Sequence, residues 1–146
     1  MAHALLIIAV ALACGTAWTS AQGGRITATT PKRGGNAVAA KVANPVEATP
    51  ASIAAGRKTY MLLCSRCHGP AGKGDGGGAG AGGQPADFTD DEWEFGSSEG
   101  EIFAAIAEGT SADMESYAEQ ITAPEIWNLV NYLRSLKPPA VASARR

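Results

Sequence analysis

Two of the chain's three cysteines and one of its two histidines lie within five consecutive residues, Cys64-Ser-Arg-Cys67-His68. Side chains three residues apart on an α-helix lie on the same face, so a helix here would direct both thiols the same way. Thiols and imidazoles are side chains that bind soft metal ions and form covalent links. The fold must therefore be built around whatever this cluster holds.

The cluster by itself leaves several kinds of site open. A structural zinc site needs four ligands, and beyond residue 21 the chain offers only these three soft ligands. A thioredoxin-type dithiol lies at the start of a helix that follows a strand, in a βαβ pattern that this sequence lacks. A disulfide between Cys64 and Cys67 would close almost no loop and would constrain little.

The C-x-x-C-H spacing is also the attachment signature of c-type haem. Two thiols on one helical face can add to the two vinyl groups of the porphyrin, and the next residue can turn a ring nitrogen to the iron. We predict one covalent haem c, attached through Cys64 and Cys67, with His68 as the proximal iron ligand. The zinc, dithiol and disulfide interpretations are the alternatives.

Downstream of the N-terminal third of the chain, hydrophobic residues repeat at helical spacing. The last two of three predicted helices begin with capping boxes, in which Glu101 and Glu125 stand three residues after the capping side chain. No segment alternates polar and apolar residues for long enough to indicate a sheet. The predicted fold class is all-α, with three or more short helices joined by long irregular loops. The three helices are expected to begin at Ser52, Ser98 and Thr122.

The first predicted helix runs through Arg66 and carries Gly56, Tyr60 and both cysteines on one face. Three short helices make a marginal core, because domains of this size bury little of their surface. The chain has 18 glycines and only nine aromatic residues to add to that core. We therefore expect the haem to serve as the hydrophobic centre of the domain.

The composition divides the chain into four segments. Residues 1–21 contain a short apolar run followed by small residues, which predicts a cleaved signal peptide and export to a bacterial periplasm. Membrane contact is expected only if the N-terminus is retained as a weak anchor or lipidated at Cys14. Residues 22–51 are rich in Ala, Thr, Gly and Pro and are predicted to be a disordered linker. Residues 52–137 form the predicted domain, and residues 138–146 form a flexible tail.

Residues 52–136 resemble a class I cytochrome c of the small mono-haem bacterial group. The resemblance rests on GRKTYMLLCSRCHG around the cysteines, on CHGPAGKGDG with PADFTD after them, and on IWNLVNYLRSL near the end. It implies a cytochrome c-like bundle wrapped around the haem. In that bundle the first and last helices cross where Gly56 lets Tyr132 approach closely.

The resemblance also implies a second iron ligand on the opposite face of the haem. It expects a methionine between the second and third helices, where the sequence has Met114. Met1 lies in the signal peptide and Met61 lies one turn before the first haem cysteine, so neither is placed to reach that face. The alternative role for a lone methionine is core filling. Similar proteins have proline directly after this ligand, whereas this chain has Glu115, which would loosen the loop.

Further residues are candidates for supporting roles. Pro85 resembles the residue whose carbonyl accepts the second N–H of the histidine and so orients its ring, with Pro70 as the alternative. Trp93 and Trp127 are candidates to donate indole N–H groups to the haem propionates. Ordinary packing is the alternative for both tryptophans.

The charge of the domain bears on its partners. Residues 52–137 carry six Lys or Arg and thirteen Asp or Glu, a net charge of −7 before the haem propionates are counted. An acidic carrier is steered toward a basic docking surface on another redox protein and reacts more slowly as salt rises. Solubility alone is the other explanation for such a charge. No nucleic-acid partner is expected.

The predicted function is electron transfer by an exported cytochrome with His68 and Met114 as iron ligands. The iron would cycle between Fe(III) and Fe(II), and the protein would be a carrier rather than an enzyme. One alternative is a dedicated cytochrome subunit of a periplasmic dehydrogenase or oxidase complex. In another, Met114 is not bound, and the open iron turns over peroxide or binds a small gas.

Overall fold

The fold is taken from a computed structural model, which describes residues 30–78 and 83–137. These residues form four α-helices, with no β-strand among them, so the all-α prediction is confirmed. The signal peptide, Cys14 and the C-terminal tail lie outside the described residues. The helices are α1 (Pro50–Leu63), α2 (Ser65–His68), α3 (Glu99–Glu108) and α4 (Ala123–Leu136), preceded by a 3-10 helix at Ala39–Lys41.

The first helix begins earlier than the sequence pattern predicts. Thr49 is its N-cap and accepts a hydrogen bond from the Ser52 N–H at 3.1 Å, while the Ser52 hydroxyl accepts from the Thr49 N–H at 3.0 Å. Ser52 is therefore the third helical residue of a reciprocal cap rather than the cap itself. The single helix predicted through Arg66 is also divided at Cys64, which ends α1 and caps the short helix α2.

The other two helices begin where their capping boxes predict. The Ser98 N–H donates to the Glu101 carboxylate at 3.0 Å, and the Thr122 N–H donates to the Glu125 carboxylate at 2.8 Å. Each carboxylate satisfies a backbone donor that the first turn of the helix leaves without a partner. Helix α3 ends at Glu108, directly before Gly109, and α4 ends at Leu136.

Helices α1 and α4 cross at Gly56, as predicted. A methyl group on Gly56 would overlap the Asn128 carbonyl oxygen and lie 2.9 Å from the Cβ of Tyr132. Only glycine permits this separation of the two backbones. The crossing brings the rings of Tyr60 and Tyr132 to a centroid distance of 5.1 Å.

The helices bury a larger apolar cluster than their short lengths predict. Phe103 of α3 stacks on Trp127 of α4 at 4.2 Å between ring centroids. Stacked aromatic rings bury a large area for each residue, which compensates for the short helices. The helices therefore contribute an apolar cluster of their own, and the expectation that haem serves as the hydrophobic centre stays a prediction. The cluster consists of Tyr60, Ile102, Phe103, Ile106, Ala107, Ile126, Trp127, Leu129, Val130, Tyr132 and Leu133.

Residues 30–49, which we call the N-terminal strap, are tethered to α3 and α4. The strap buries Ala39 completely. The Asn36 N–H donates to the Glu101 carboxylate at 2.8 Å, and the Asn44 side chain donates to the Trp127 carbonyl at 3.1 Å. The prediction of a disordered linker over residues 22–51 is therefore wrong for the strap, and residues 22–29 lie outside the described residues.

A second tether joins the strap to the middle of α4. The Asn131 side chain is only 3% exposed, and it donates to the Val46 carbonyl at 3.0 Å. Its amide oxygen accepts from the Asn44 side chain at 2.8 Å. Polar contacts of this kind hold the strap in place without the aromatic residues that the segment lacks.

The helices were also compared with the dimensions of a membrane. Within residues 30–78 and 83–137, none of the helices has the length and apolar composition needed to span a bilayer.

Candidate haem site

The two cysteines lie at the junction of α1 and α2. Cys64 caps α2 and Cys67 lies within it, and both thiols are half-buried and outside any disulfide. The Cys67 thiol lies 3.2 Å from the carbonyl oxygen of Gly78. Burial, with a smaller contribution from Cys67, raises the pKa of the Cys64 thiol to about 11. Cys64 is therefore a protonated thiol at neutral pH.

His68 is the last residue of α2 and is buried. Its Nδ1 lies 3.2 Å from the Ala86 carbonyl oxygen. Because a carbonyl can only accept, this contact requires the proton on Nδ1 and leaves Nε2 with a free lone pair. Burial lowers the pKa of His68 and outweighs the opposing effect of the Ala86 hydrogen bond. The imidazole is therefore held neutral, in the tautomer that binds iron through Nε2.

The carbonyl beside His68 is not the one that the sequence predicts. The structure places Ala86 there, rather than Pro85 or Pro70. The Pro85 carbonyl instead lies against Gly74, where a methyl group would overlap its oxygen. Gly74 has a φ of 69°, a conformation that glycine adopts readily, and this lets the two segments meet closely enough to present Ala86.

The glycine-rich segment, residues 72–78, has a structural role that its composition does not predict. The Gly74 N–H donates to the His68 carbonyl at 2.9 Å, and the Gly76 N–H donates to the Cys67 carbonyl at 3.1 Å. The Gly78 N–H donates in the same way to the Arg66 carbonyl at 2.9 Å. These N–H groups satisfy carbonyls at the end of α2, where no further helical turn follows. The segment thereby fixes the helix that carries Cys67 and His68.

An aromatic ring stacks on the imidazole, and a second ring packs on the first. The Phe88 ring stacks on His68 with 4.6 Å between centroids and an interplanar angle of 26°. Trp93 lies behind Phe88 at 5.4 Å between centroids. Single-sequence patterns miss Phe88, because the contact joins residues 20 positions apart. The occurrence of PADF after the C-x-x-C-H motif is the sequence signal that could have indicated the contact between Phe88 and His68.

The structure shows packing for both tryptophans considered as propionate donors. The Trp93 indole N–H donates to the Asp90 carbonyl at 3.1 Å, so this donor is already engaged. Trp127 is 2% exposed and stacks on Phe103 within the apolar cluster. Both residues therefore pack on aromatic neighbours, and the propionate-donor role of Trp93 stays a prediction.

Met114 lies in the segment between α3 and α4 and is partly buried. Its carbonyl accepts from the Thr110 N–H at 2.8 Å, which closes a tight turn. It does not belong to the apolar cluster, although Tyr117 of the same segment packs against that cluster. Burial is the main cause of a raised pKa at Tyr117, and Cys64 packs against the same apolar cluster as Tyr117 does.

The side chains of Cys64, Cys67 and His68, with their surroundings, fit a covalently bound haem. Two thiols outside any disulfide adjoin a buried imidazole with one free ring nitrogen. Cys64 is partly buried and packs against the apolar cluster, as do several partly buried apolar side chains. In the described part of the chain, no group of three or more His, Cys, Asp or Glu residues is arranged to hold a metal ion by itself. The partly buried side chains that pack against the cluster include Phe88, Trp93, Tyr117 and Ile121.

A comparison with family models identifies the chain. Residues 51–133, more than half of the sequence, match the model described as cytochrome C oxidase, cbb3-type, subunit III. The chain belongs to this cytochrome c family. The predicted resemblance to class I c-type cytochromes is confirmed, and so is the prediction of covalently bound haem c. The strap lies before the matched residues.

Solved structures give the same result for the fold. A protein of the reducing HAO-like protein complex of Kuenenia stuttgartiensis is 31% identical, with a TM-score of 0.60, over 68% of this chain and 49% of that one. Cytochrome CL of Methylophaga aminisulfidivorans is 24% identical, with a TM-score of 0.52, over 60% and 55% of the two chains. Cytochrome cL of Hyphomicrobium denitrificans is 22% identical, with a TM-score of 0.50, over 64% and 52%.

The similarity covers only part of each solved structure. The chain spans about half the length of these solved structures. No curated protein matches it. The family and its haem establish an electron-transfer cytochrome domain.

Proposed function

We propose that the protein is an exported mono-haem electron carrier, with its haem attached through Cys64 and Cys67 and its iron bound by His68 and Met114. The observation that carries this proposal is the neutral His68 imidazole, engaged at Nδ1 and free at Nε2, beside two thiols outside any disulfide. Bound haem supplies a one-electron Fe(III)/Fe(II) couple. The protein holds this group, orients the proximal ligand and shields the site with apolar side chains.

The position of Met114 supports its role as the second ligand. It lies outside the apolar cluster, which argues against the core-filling alternative. Tyr117 of the same segment packs against the apolar cluster, as Cys64 does. A His and Met pair raises the reduction potential relative to two histidines, which suits a carrier that delivers electrons to an oxidase or accepts them from a dehydrogenase.

The proposed partners are redox proteins with basic docking surfaces. The domain carries thirteen acidic residues against six basic ones, and its acidic side chains are mostly exposed. The apolar run and small residues before Gln22 support export to a periplasm, where such partners would be encountered.

A second candidate function is that of a dedicated subunit in a redox enzyme complex. The observation that favours it is the 31% identity to a protein described as part of a reducing HAO-like protein complex. Co-purification of the native protein with a larger enzyme would distinguish this function from that of a free carrier. Glu115, where similar proteins have proline, supports a third candidate, in which Met114 is unbound and the iron is open to peroxide or a small gas.

Intact mass tests the attachment that every candidate requires. We expect the mature wild-type protein to carry the mass of one haem after denaturation, and the Cys64→Ala, Cys67→Ala double variant to lose it. Ser65→Ala is the matched control, because Ser65 lies between the two cysteines and bonds only to the Met61 carbonyl at 2.8 Å. A wild-type mass without haem, from cells that attach haem to other cytochromes, would overturn the proposal.

A further inference from the structure

The Phe88 ring lies against the face of the proposed proximal ligand. Its centroid is 4.6 Å from that of His68, and the two planes differ by 26°. The hydrogen bond from His68 Nδ1 to Ala86 fixes one point on the imidazole but allows the ring to rotate about the axis through that point. A flat group stacked on the ring removes this freedom. We infer that Phe88 is a positioning residue, which fixes the plane of the His68 imidazole toward the iron.

Phe88 is itself held from several directions. Its N–H donates to the Gly72 carbonyl at 2.7 Å. Trp93 packs on it at 5.4 Å between centroids, and the Tyr60 ring meets it edge-on at 6.4 Å with an interplanar angle of 76°. Tyr60 is fully buried, and its hydroxyl donates to the Gly69 carbonyl at 2.6 Å. Phe88 is therefore a rigid support and not a side chain that follows the movement of His68.

The same short segment supplies both restraints on the imidazole. The Ala86 carbonyl engages the ring edge, and Phe88, two residues later, covers the ring face. Between them, Asp87 accepts from the Thr89 N–H at 2.7 Å and from the Thr89 hydroxyl at 2.6 Å, which fixes the backbone of the segment. Neighbours of this kind fix the orientation of a metal ligand and tune the metal through it.

This inference rests on the proposed function, because it requires His68 to bind the iron. A held imidazole plane fixes the overlap between the ligand and the iron orbitals. A freely rotating imidazole would donate less effectively to Fe(III) and would favour Fe(II). Loss of the Phe88 ring should therefore change the electronic asymmetry of the oxidised protein and raise its reduction potential.

The test uses two substitutions of Phe88 in the haem-loaded protein. Phe88→Leu keeps an apolar side chain of similar reach but removes the flat ring, whereas Phe88→Tyr keeps the ring. Phe103→Leu is the control, because Phe103 is likewise stacked on an aromatic ring but packs on Trp127 in the apolar cluster. The readouts are the paramagnetically shifted haem methyl resonances of the oxidised protein, its reduction potential and its melting temperature.

We expect Phe88→Leu to reorder the haem methyl resonances and raise the potential, and Phe88→Tyr to retain the wild-type values. Phe103→Leu should lower the melting temperature while the methyl pattern is unchanged. A Phe88→Leu protein with wild-type methyl resonances and potential would overturn the inference, whatever its melting temperature. Failure of the proposed function has a separate signature, since a His68→Ala protein with the wild-type spectrum would show that His68 is not a ligand.

Discussion

The residues of the haem site differ in how far a single sequence identifies them. Cys64, Cys67 and His68 lie within five consecutive residues, so their spacing alone identifies them as one motif. Ala86 and Phe88 contact His68 from a segment about 20 residues later, and no local pattern specifies which carbonyl or ring will reach it. The sequence predicted Pro85 for the carbonyl, one residue from the position that the fold selects.

Glu101 is the residue whose ionisation should most directly affect stability. Burial acts to raise its pKa, but hydrogen bonds from Ser98 and Asn36 outweigh that effect and lower the pKa. A carboxyl whose pKa is lower in the folded state stabilises the protein above the pKa of the unfolded state. That stability is lost as the pH falls through the lower, folded-state pKa.

We therefore expect Glu101→Gln to lower the free energy of unfolding by about 1 to 3 kcal/mol at pH 7. The difference from wild type should shrink steadily in acid, because both side chains are then uncharged. Urea titrations between neutral pH and pH 3 measure it, with Glu108→Gln, exposed at the end of the same helix, as the control. A difference that is constant across this pH range would contradict the role assigned to the carboxylate.

Among the elements of the fold, features set by neighbouring residues were predicted from the sequence, and features set by distant contacts were not. Capping boxes placed the starts of α3 and α4 correctly, because a cap involves residues only three positions apart. The start of α1 was missed because Ser52 can act either as a cap or as the partner of a cap at Thr49. The strap was missed because its tethers join residues more than 60 positions apart, and its composition alone indicates disorder.

The strap should be a stabilising part of the domain. Replacing Asn131 by Leu keeps the volume of the side chain but removes the donor to the Val46 carbonyl and one of the two acceptors of the Asn44 amide. We expect a loss of about 1 to 3 kcal/mol in the free energy of unfolding, since buried polar groups would be left unsatisfied. Hydrogen exchange should also accelerate at the Val42 amide, which bonds to Ala39 within the strap.

Ser135→Ala is the control for this substitution, because Ser135 is exposed and lies on the same helix. Its stability should match that of wild type. Wild-type stability and exchange in Asn131→Leu would show that the strap contributes nothing to the domain.

The charge of the whole molecule is unevenly distributed. Residues 50–74 carry only basic charges, at Arg57, Lys58, Arg66 and Lys73, whereas the acidic residues of the domain lie between Asp75 and Glu125. The basic residues lie in the same stretch of sequence as the cysteines, and most of the acidic ones follow it. The net charge and the local charge near the haem attachment therefore act in opposite directions on a charged partner.

The dependence of the electron-transfer rate on ionic strength shows whether the net negative charge or the local basic charge governs the encounter with a charged partner. We expect the reduced protein to transfer one electron to the cation tris(phenanthroline)cobalt(III) at a rate that falls as salt rises, because the net negative charge attracts it. Lys58→Glu should increase this rate at low salt. With ferricyanide, an anion, both trends should reverse. A wild-type rate with the cobalt cation that rises with salt would show that the basic residues beside the cysteines dominate, and that the docking partner is acidic.

The central claim is that His68 and Met114 together bind the iron of a carrier, and the absorption spectrum of the oxidised protein tests it most directly. The wild-type protein should be low-spin and show the methionine-to-iron charge-transfer band. Met114→Ala should lose this band, and Met61→Ala, a change at an exposed methionine, should keep it. A wild-type spectrum that is high-spin and lacks the band, or a Met114→Ala protein that retains it, would contradict the claim.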